Sequence, residues 1–129
     1  MIVDSSAIVA ILMEEDGFEA LQEKLFKTDV AAIGAPTYVE TSMVIDGKRN
    51  PIASRALDDL LNEFEIATVA FTPEHAAIAR AAFRDFGRGS GHPAKLNFGD
   101  CLAYAVAKES KQPLLFVGND FTETDIAQA

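Results

Sequence analysis

Apolar residues along this chain follow two rhythms. Short runs at residues 2–3, 30–33, 66–71 and 114–117, apolar throughout except for the β-branched Thr68, have the length and composition of buried strands. Between them, apolar residues recur every three or four positions, the period of an amphipathic helix. Capping residues bound these helices. Ser5 or Ser6 can cap a helix to about residue 13, and Asp16 one from 17 to about 26. Pro36 opens a helix to Gly47, and Asn50-Pro51 opens another to about residue 64, with Asn as cap and Pro in the first turn. Thr72-Pro73 begins a helix ending near Phe86-Gly87, and residues 98 to about 108 form the last. The glycine-rich stretch 88–93 reads as a loop, and Gly118-Asn119-Asp120 as a turn.

Strands this short and apolar, alternating with helices, predict a parallel sheet covered on both faces: an α/β three-layer α/β/α sandwich. No repeat or linker divides the chain, so residues 1–129 are expected to form a single domain. In an open parallel sheet, ligands collect beyond the carboxyl ends of the strands. Asp4 and Asp120 lie at such ends. Asp100 lies in the first turn of the helix whose far end feeds the last strand, which puts it at the same edge. Taken singly, each has a plain structural role: Asp4 as a cap, Asp100 as a first-turn acid favoured by the helix dipole, Asp120 as a turn residue. Together they form a candidate site.

Glu40 is mid-helix and needs a separate reason. With Pro36 at 0°, Val39 falls at about 300°, Met43 at about 340°, Gly47 at about 20° and Val44 at about 80°. Glu40, at about 40°, lies inside that apolar stripe, which the pattern predicts to face the core. A carboxylate there is disfavoured by several kcal/mol unless paired, or else bends out to solvent. No lysine or arginine is pinned nearby, so the candidate partner is a metal ion shared with Asp4, Asp100 and Asp120. Oxygen-only ligands select Mg²⁺, with Mn²⁺ as a substitute, over zinc.

Composition narrows the class. The single cysteine, Cys101, allows no internal disulfide, and no Cys/His cluster has zinc-ligand spacing. No run approaches the roughly 18 apolar residues of a membrane span, and Met1-Ile2-Val3-Asp4 lacks a basic leader, so a soluble, cytoplasmic protein with no membrane partner is expected. A net charge of −9 argues against nonspecific binding to nucleic acid. The charge is uneven: residues 1–65 hold 13 acids and 5 bases, whereas 66–129 hold 7 and 6. Arg80, Arg84, Arg88 and Lys95 make a basic stretch, either a solvated face or a weak nucleic-acid contact. His75 is expected at the surface and His92 in a turn. Cys101 is expected in the buried stripe of its helix with Phe98, Leu102, Ala105 and Val106.

Four segments carry a resemblance: MIVDSSAIVAIL, APTYVETSMVI around Glu40, GHPAKLNFGDCLAYAVA around Asp100, and LLFVGNDF. In order and spacing, over essentially the whole chain, they resemble PIN-domain proteins, in particular VapC-type toxins of bacterial toxin–antitoxin pairs. The likeness implies a PIN-like sandwich with Asp4, Glu40, Asp100 and Asp120 as catalytic, metal-binding acids, and Ser6 as the small hydroxyl that orients a carboxylate or water. Asn119 departs from the acidic residue common there. Asp120, first, and Asn119 or Asp125 are thus alternatives for completing the site. The likeness further implies an RNA substrate, a cognate VapB-type antitoxin and a homodimer, with the apolar helices 17–26 and 51–64 offering surface for such partners.

A carboxylate cluster holding Mg²⁺ neutralises a scissile phosphate and acidifies bound water, which is nuclease chemistry. The histidines sit in no triad arrangement. A magnesium phosphatase of the Asp-x-Asp type is disfavoured by Asp4-Ser5-Ser6, and a flap nuclease by the absence of long insertions. A catalytically silent regulatory domain is the alternative from another class.

Overall fold

Four short strands, β1 (Ile2–Val3), β2 (Ala32–Gly34), β3 (Ala67–Val69) and β4 (Leu114–Leu115), form one sheet in the computed structural model, which describes residues 1–129. All neighbours are parallel, in the order β3-β2-β1-β4. Six helices surround it: α1 (Ser5–Leu12), α2 (Phe18–Lys27), α3 (Ala35–Asp46), α4 (Pro51–Glu63), α5 (Pro73–Phe86) and α6 (Phe98–Ser110). This is the three-layer sandwich that the alternation of elements predicts.

The pleat divides the core. Ile2, Ala32 and Leu114 face a cluster with Ala79 and Ala82 of α5 and Tyr104 and Val106 of α6. Val3, Ile33 and Leu115 point oppositely, against Ile8 and Ile11 of α1, Leu25 of α2, Ile45 of α3 and Leu57 of α4. Strands of two or three residues offer few ladder bonds, each worth about 1 kcal/mol net. Each fully buried Ile or Leu contributes about 1.5–3 kcal/mol, so two-sided burial holds the sheet. The outer edge of β4 is covered by the C-terminal residues: Leu114 N–H donates to the Ala127 carbonyl at 2.9 Å and Ala129 N–H to the Leu114 carbonyl at 3.0 Å.

The chain builds β1, β2 and β3 in one direction, then returns through α5 and α6 to lay β4 on the other side of β1. A crevice opens where the direction reverses, outside the carboxyl ends of β1 and β4.

Several local expectations are corrected. Asp4 itself caps α1, accepting Ser6 N–H at 3.0 Å. The start of α2 is Gly17 at φ +88°, with no side-chain cap from Asp16, because the turn there needs a left-handed residue. Strand β2 starts at Ala32, leaving Val30 exposed. The stripe of α3 predicted to be buried is outside: Val39 is 52% and Met43 71% exposed, while Thr37, Thr41 and Ile45 face inward. Thr41 Oγ1 donates to the Thr37 carbonyl at 2.8 Å, so these threonines satisfy themselves locally and bury at little cost. Phe98, expected in a buried stripe, is 79% exposed. His75, expected at the surface, is 6% exposed: its Nδ1 accepts Thr72 N–H at 3.0 Å in a capping box, and its ring lies against Phe71.

Candidate active site

Asp4 ends β1 with its carboxylate buried. Its Oδ2 accepts Ser6 N–H at 3.0 Å and the Ser6 hydroxyl at 2.6 Å. Ser6 Oγ in turn accepts Val117 N–H at 3.1 Å, fastening the end of β1 to the chain leaving β4. Burial raises the Asp4 pKa, the Ser6 bonds oppose the rise, and Glu40 adds to it.

Glu40, on α3, is half-buried at the side of the crevice and receives one hydrogen bond, from Ser5 Oγ to Oε1 at 2.6 Å. Its Oε2 lies so close to Gly99 that a Cβ there would collide with it. Asp100 is the third residue of α6. It forms a capping box with Asn97, each backbone N–H donating to the other's side chain at 2.8 Å. Burial pushes the Asp100 pKa up to about 6; the Asn97 N–H opposes this, and Asp120, Asp4 and Glu40 reinforce it. Asp120 is exposed, in the turn after Gly118, which sits at φ +93°.

The structure thus brings Asp4, Glu40 and Asp120 each within electrostatic reach of Asp100, and Glu40 within reach of Asp4, although no three acidic, His or Cys side chains converge tightly enough to enclose an ion. None of the four has a cationic partner. The ion pairs of the chain are Lys27–Glu23, His75–Glu109, Arg84–Asp85 and Lys108–Asp125, all elsewhere. Asp4 and Asp100, made more basic by burial and then by neighbouring acids, stand in an oxygen-only donor set with Glu40 and Asp120, which fits a hard divalent cation.

The remaining candidates separate. Asn119 is exposed, its carbonyl holding the turn by accepting from Thr122 and its side chain bonded to nothing in the chain. Asp125 is turned away, accepting the Tyr104 hydroxyl at 2.6 Å and the Lys108 ammonium. Arg80, Arg88 and Lys95 are exposed and unpaired, whereas Arg84 Nε pairs with Asp85 at 2.8 Å. Sequence reasoning missed Ser5, Asn97 and Gly99; the Asn97-x-x-Asp100 spacing was the available signal for the second. It also missed the open groove of about 790 Å³ that runs from Glu40 along Val39, Met43, Phe71, Phe98 and Leu102.

A family model described as PIN domain matches residues 1–127. Ribonuclease VapC28 of Mycobacterium tuberculosis is 51% identical over 129 residues, covering 100% of this chain and 97% of the relative. Ribonuclease VapC42 of the same species is 46% identical over 129 residues, covering 100% and 98%. Among solved structures, M. tuberculosis VapC20, described as a sarcin-ricin loop cleaving toxin, superposes with a TM-score of 0.73 at 17% identity, covering 99% of this chain and 97% of that one. A chain of a toxin–antitoxin complex from Klebsiella pneumoniae gives 0.69 at 15% identity, covering 93% and 88%.

Proposed function

The chain belongs to the PIN-domain family and, within it, to the VapC ribonucleases, and from that premise we propose that it is a divalent-metal-dependent endoribonuclease, the toxin of a toxin–antitoxin pair, acting as one domain of residues 1–129. The observation that carries the reading is Asp100, half-buried with a pKa raised to about 6 beside Asp4, Glu40 and Asp120, and with no cation of the chain paired to it.

Asp4, Glu40, Asp100 and Asp120 are the residues that would hold Mg²⁺, or Mn²⁺ in its place. Such a cation, when bound, offsets charge on a phosphodiester and makes neighbouring water more acidic. Ser6 keeps Asp4 turned to the crevice, and the Asn97 N–H keeps Asp100 turned the same way. The unbonded side chain of Asn119 can support a water at the rim. Exposed Arg80, Arg88 and Lys95 offer charge to an RNA backbone, while Arg84 offers less because Asp85 already pairs with it. Asp125 has no part in this chemistry, being committed to Tyr104 and Lys108.

The partner is a VapB-type antitoxin, a basic side chain of which would block the site by pairing with its uncompensated carboxylates. Phe26 of α2 and Ile52 of α4, both exposed, support a docking surface for an apolar segment of that antitoxin. A second copy of the chain covers the other exposed apolar strip, Val39, Met43, Phe83 and Phe98, in a homodimer.

Antitoxin-free protein incubated with a structured RNA pool should cut it in Mg²⁺ or Mn²⁺ and not in EDTA. Asp4→Asn and Asp100→Asn should each slow cleavage by more than the about 100-fold typical of losing an outer-shell metal partner. Cleavage that persists in EDTA, or in both variants, overturns the proposal.

A further inference from the structure

The two serines after Asp4 point in different directions. Ser5 and Ser6 are consecutive at the start of α1, so their side chains diverge by about 100°. Ser6 turns to Asp4 and to Val117 N–H. Ser5 turns to α3 and donates to Glu40 Oε1 at 2.6 Å, a short, charge-assisted bond. It is the one hydrogen bond that Glu40 receives, and Glu40 has no ion-pair partner.

The opposite oxygen is confined differently. Oε2 accepts no hydrogen bond and lies against the Cα of Gly99, where any side chain would collide with it. Glu40 therefore sits between a hydroxyl of α1 and the bare first turn of α6, one residue before Asp100. A glutamate has three side-chain torsions to fix, and at this end of the groove lined by Val39 and Met43 only the Ser5 bond and the contact with Gly99 restrain it.

We propose that Ser5 is a positioning residue for the carboxylate site: its hydroxyl holds Glu40 by Oε1, so that Oε2 stays on the side of Asp4 and Asp100, ready to bind a divalent cation. This rests on the metal-dependent nuclease reading above. Outer-shell partners that orient a metal-binding side chain typically contribute 10–100-fold in metal affinity, and the effect expected of Ser5 is about tenfold.

The test is calorimetric titration of the full chain with Mn²⁺, without RNA, on wild type, Ser5→Ala, Ser5→Thr, Glu40→Gln, Asp100→Asn and the double variant Ser5→Ala/Glu40→Gln, each checked by thermal melting. Ser5→Ala should bind Mn²⁺ about tenfold more weakly while still melting as one cooperatively folded species, and Ser5→Thr should restore affinity because it keeps the hydroxyl. In the Glu40→Gln background, Ser5→Ala should have no further effect, which a purely structural serine would not show. Wild-type affinity in Ser5→Ala, or an undiminished loss on top of Glu40→Gln, overturns the role of Ser5 while leaving the metal site standing. Absence of Mn²⁺ binding in the wild type, or wild-type binding in Asp100→Asn, overturns the metal reading and this inference with it.

Discussion

Helix α6 meets an aspartate near each end, and the chain treats the two in opposite ways. Asp125 docks on the later turns, where Lys108, with help from the Tyr104 hydroxyl, holds its pKa below the ordinary value. Asp100, in the first turn, is pushed up to about 6 by burial and by three other acids. Lysines and arginines are available in the chain, yet none is set against the first-turn group. A carboxylate meant only to hold the fold is given a cation from within. One left without it, among others of its kind, is on the proposed reading the group that takes positive charge from outside.

Substitutions at the two ends should separate activity from stability. Gly99→Ala forces the Glu40 carboxylate aside, and we expect RNA cleavage to fall about 10–100-fold. Its melting temperature should change little, since the group that must give way is the far end of a half-buried side chain that can swing toward solvent. Asp125→Ala should do the reverse: a loss of about 1 kcal/mol in urea unfolding, because the pair it breaks is half-exposed, with cleavage intact. Activity lost in both variants alike would break the distinction.

The contrast also has a pH signature. Asp100 has a folded pKa of about 6 against 3.8 as the ordinary value, so between these the folded state binds more protons than the unfolded state. Stability in EDTA should therefore fall as the pH rises from 4 to about 6.5, and Asp4, also raised, steepens the fall. Asp125 has its pKa lowered, so its contribution is present above 3.8 and is lost as the pH falls below it. Chemical denaturation across this range should show a shallower slope in Asp100→Asn; an unchanged slope would place the origin elsewhere.

The smallest expected effect concerns the basic stretch. Arg80→Ala should weaken RNA binding a few-fold and reduce the salt slope by about 1, and Arg84→Ala should do less because Asp85 already occupies it. Equal effects of the two would count against the distinction drawn between free and paired arginines.

The sheet and the order of the acids were legible because short apolar runs and capped helices are local signals, and topology then carries Asp4, Asp100 and Asp120 to one edge. Glu40 was singled out for a reason that the structure corrects. The stripe of Val39, Met43 and Val44 is exposed, and its neighbour is the Ser5 hydroxyl, not the core. A helical wheel ranks residues by type, so it missed that Thr37 and Thr41 bury well once Thr41 bonds back to its own helix. The same blindness to neighbours hid the burial of His75 under its cap and the exposure of Phe98. Gly99 was invisible because the carboxylate that requires it lies on a helix 59 positions earlier in the chain.

The most direct measurement is cation binding by the two aspartates compared side by side: Mn²⁺ titrated calorimetrically into wild type, Asp100→Asn and Asp125→Asn at pH 7.5. Binding retained in Asp125→Asn and lost in Asp100→Asn is the expected result. Binding by Asp100→Asn as tight as that of the wild type would contradict the claim that the first-turn carboxylate awaits a cation from outside.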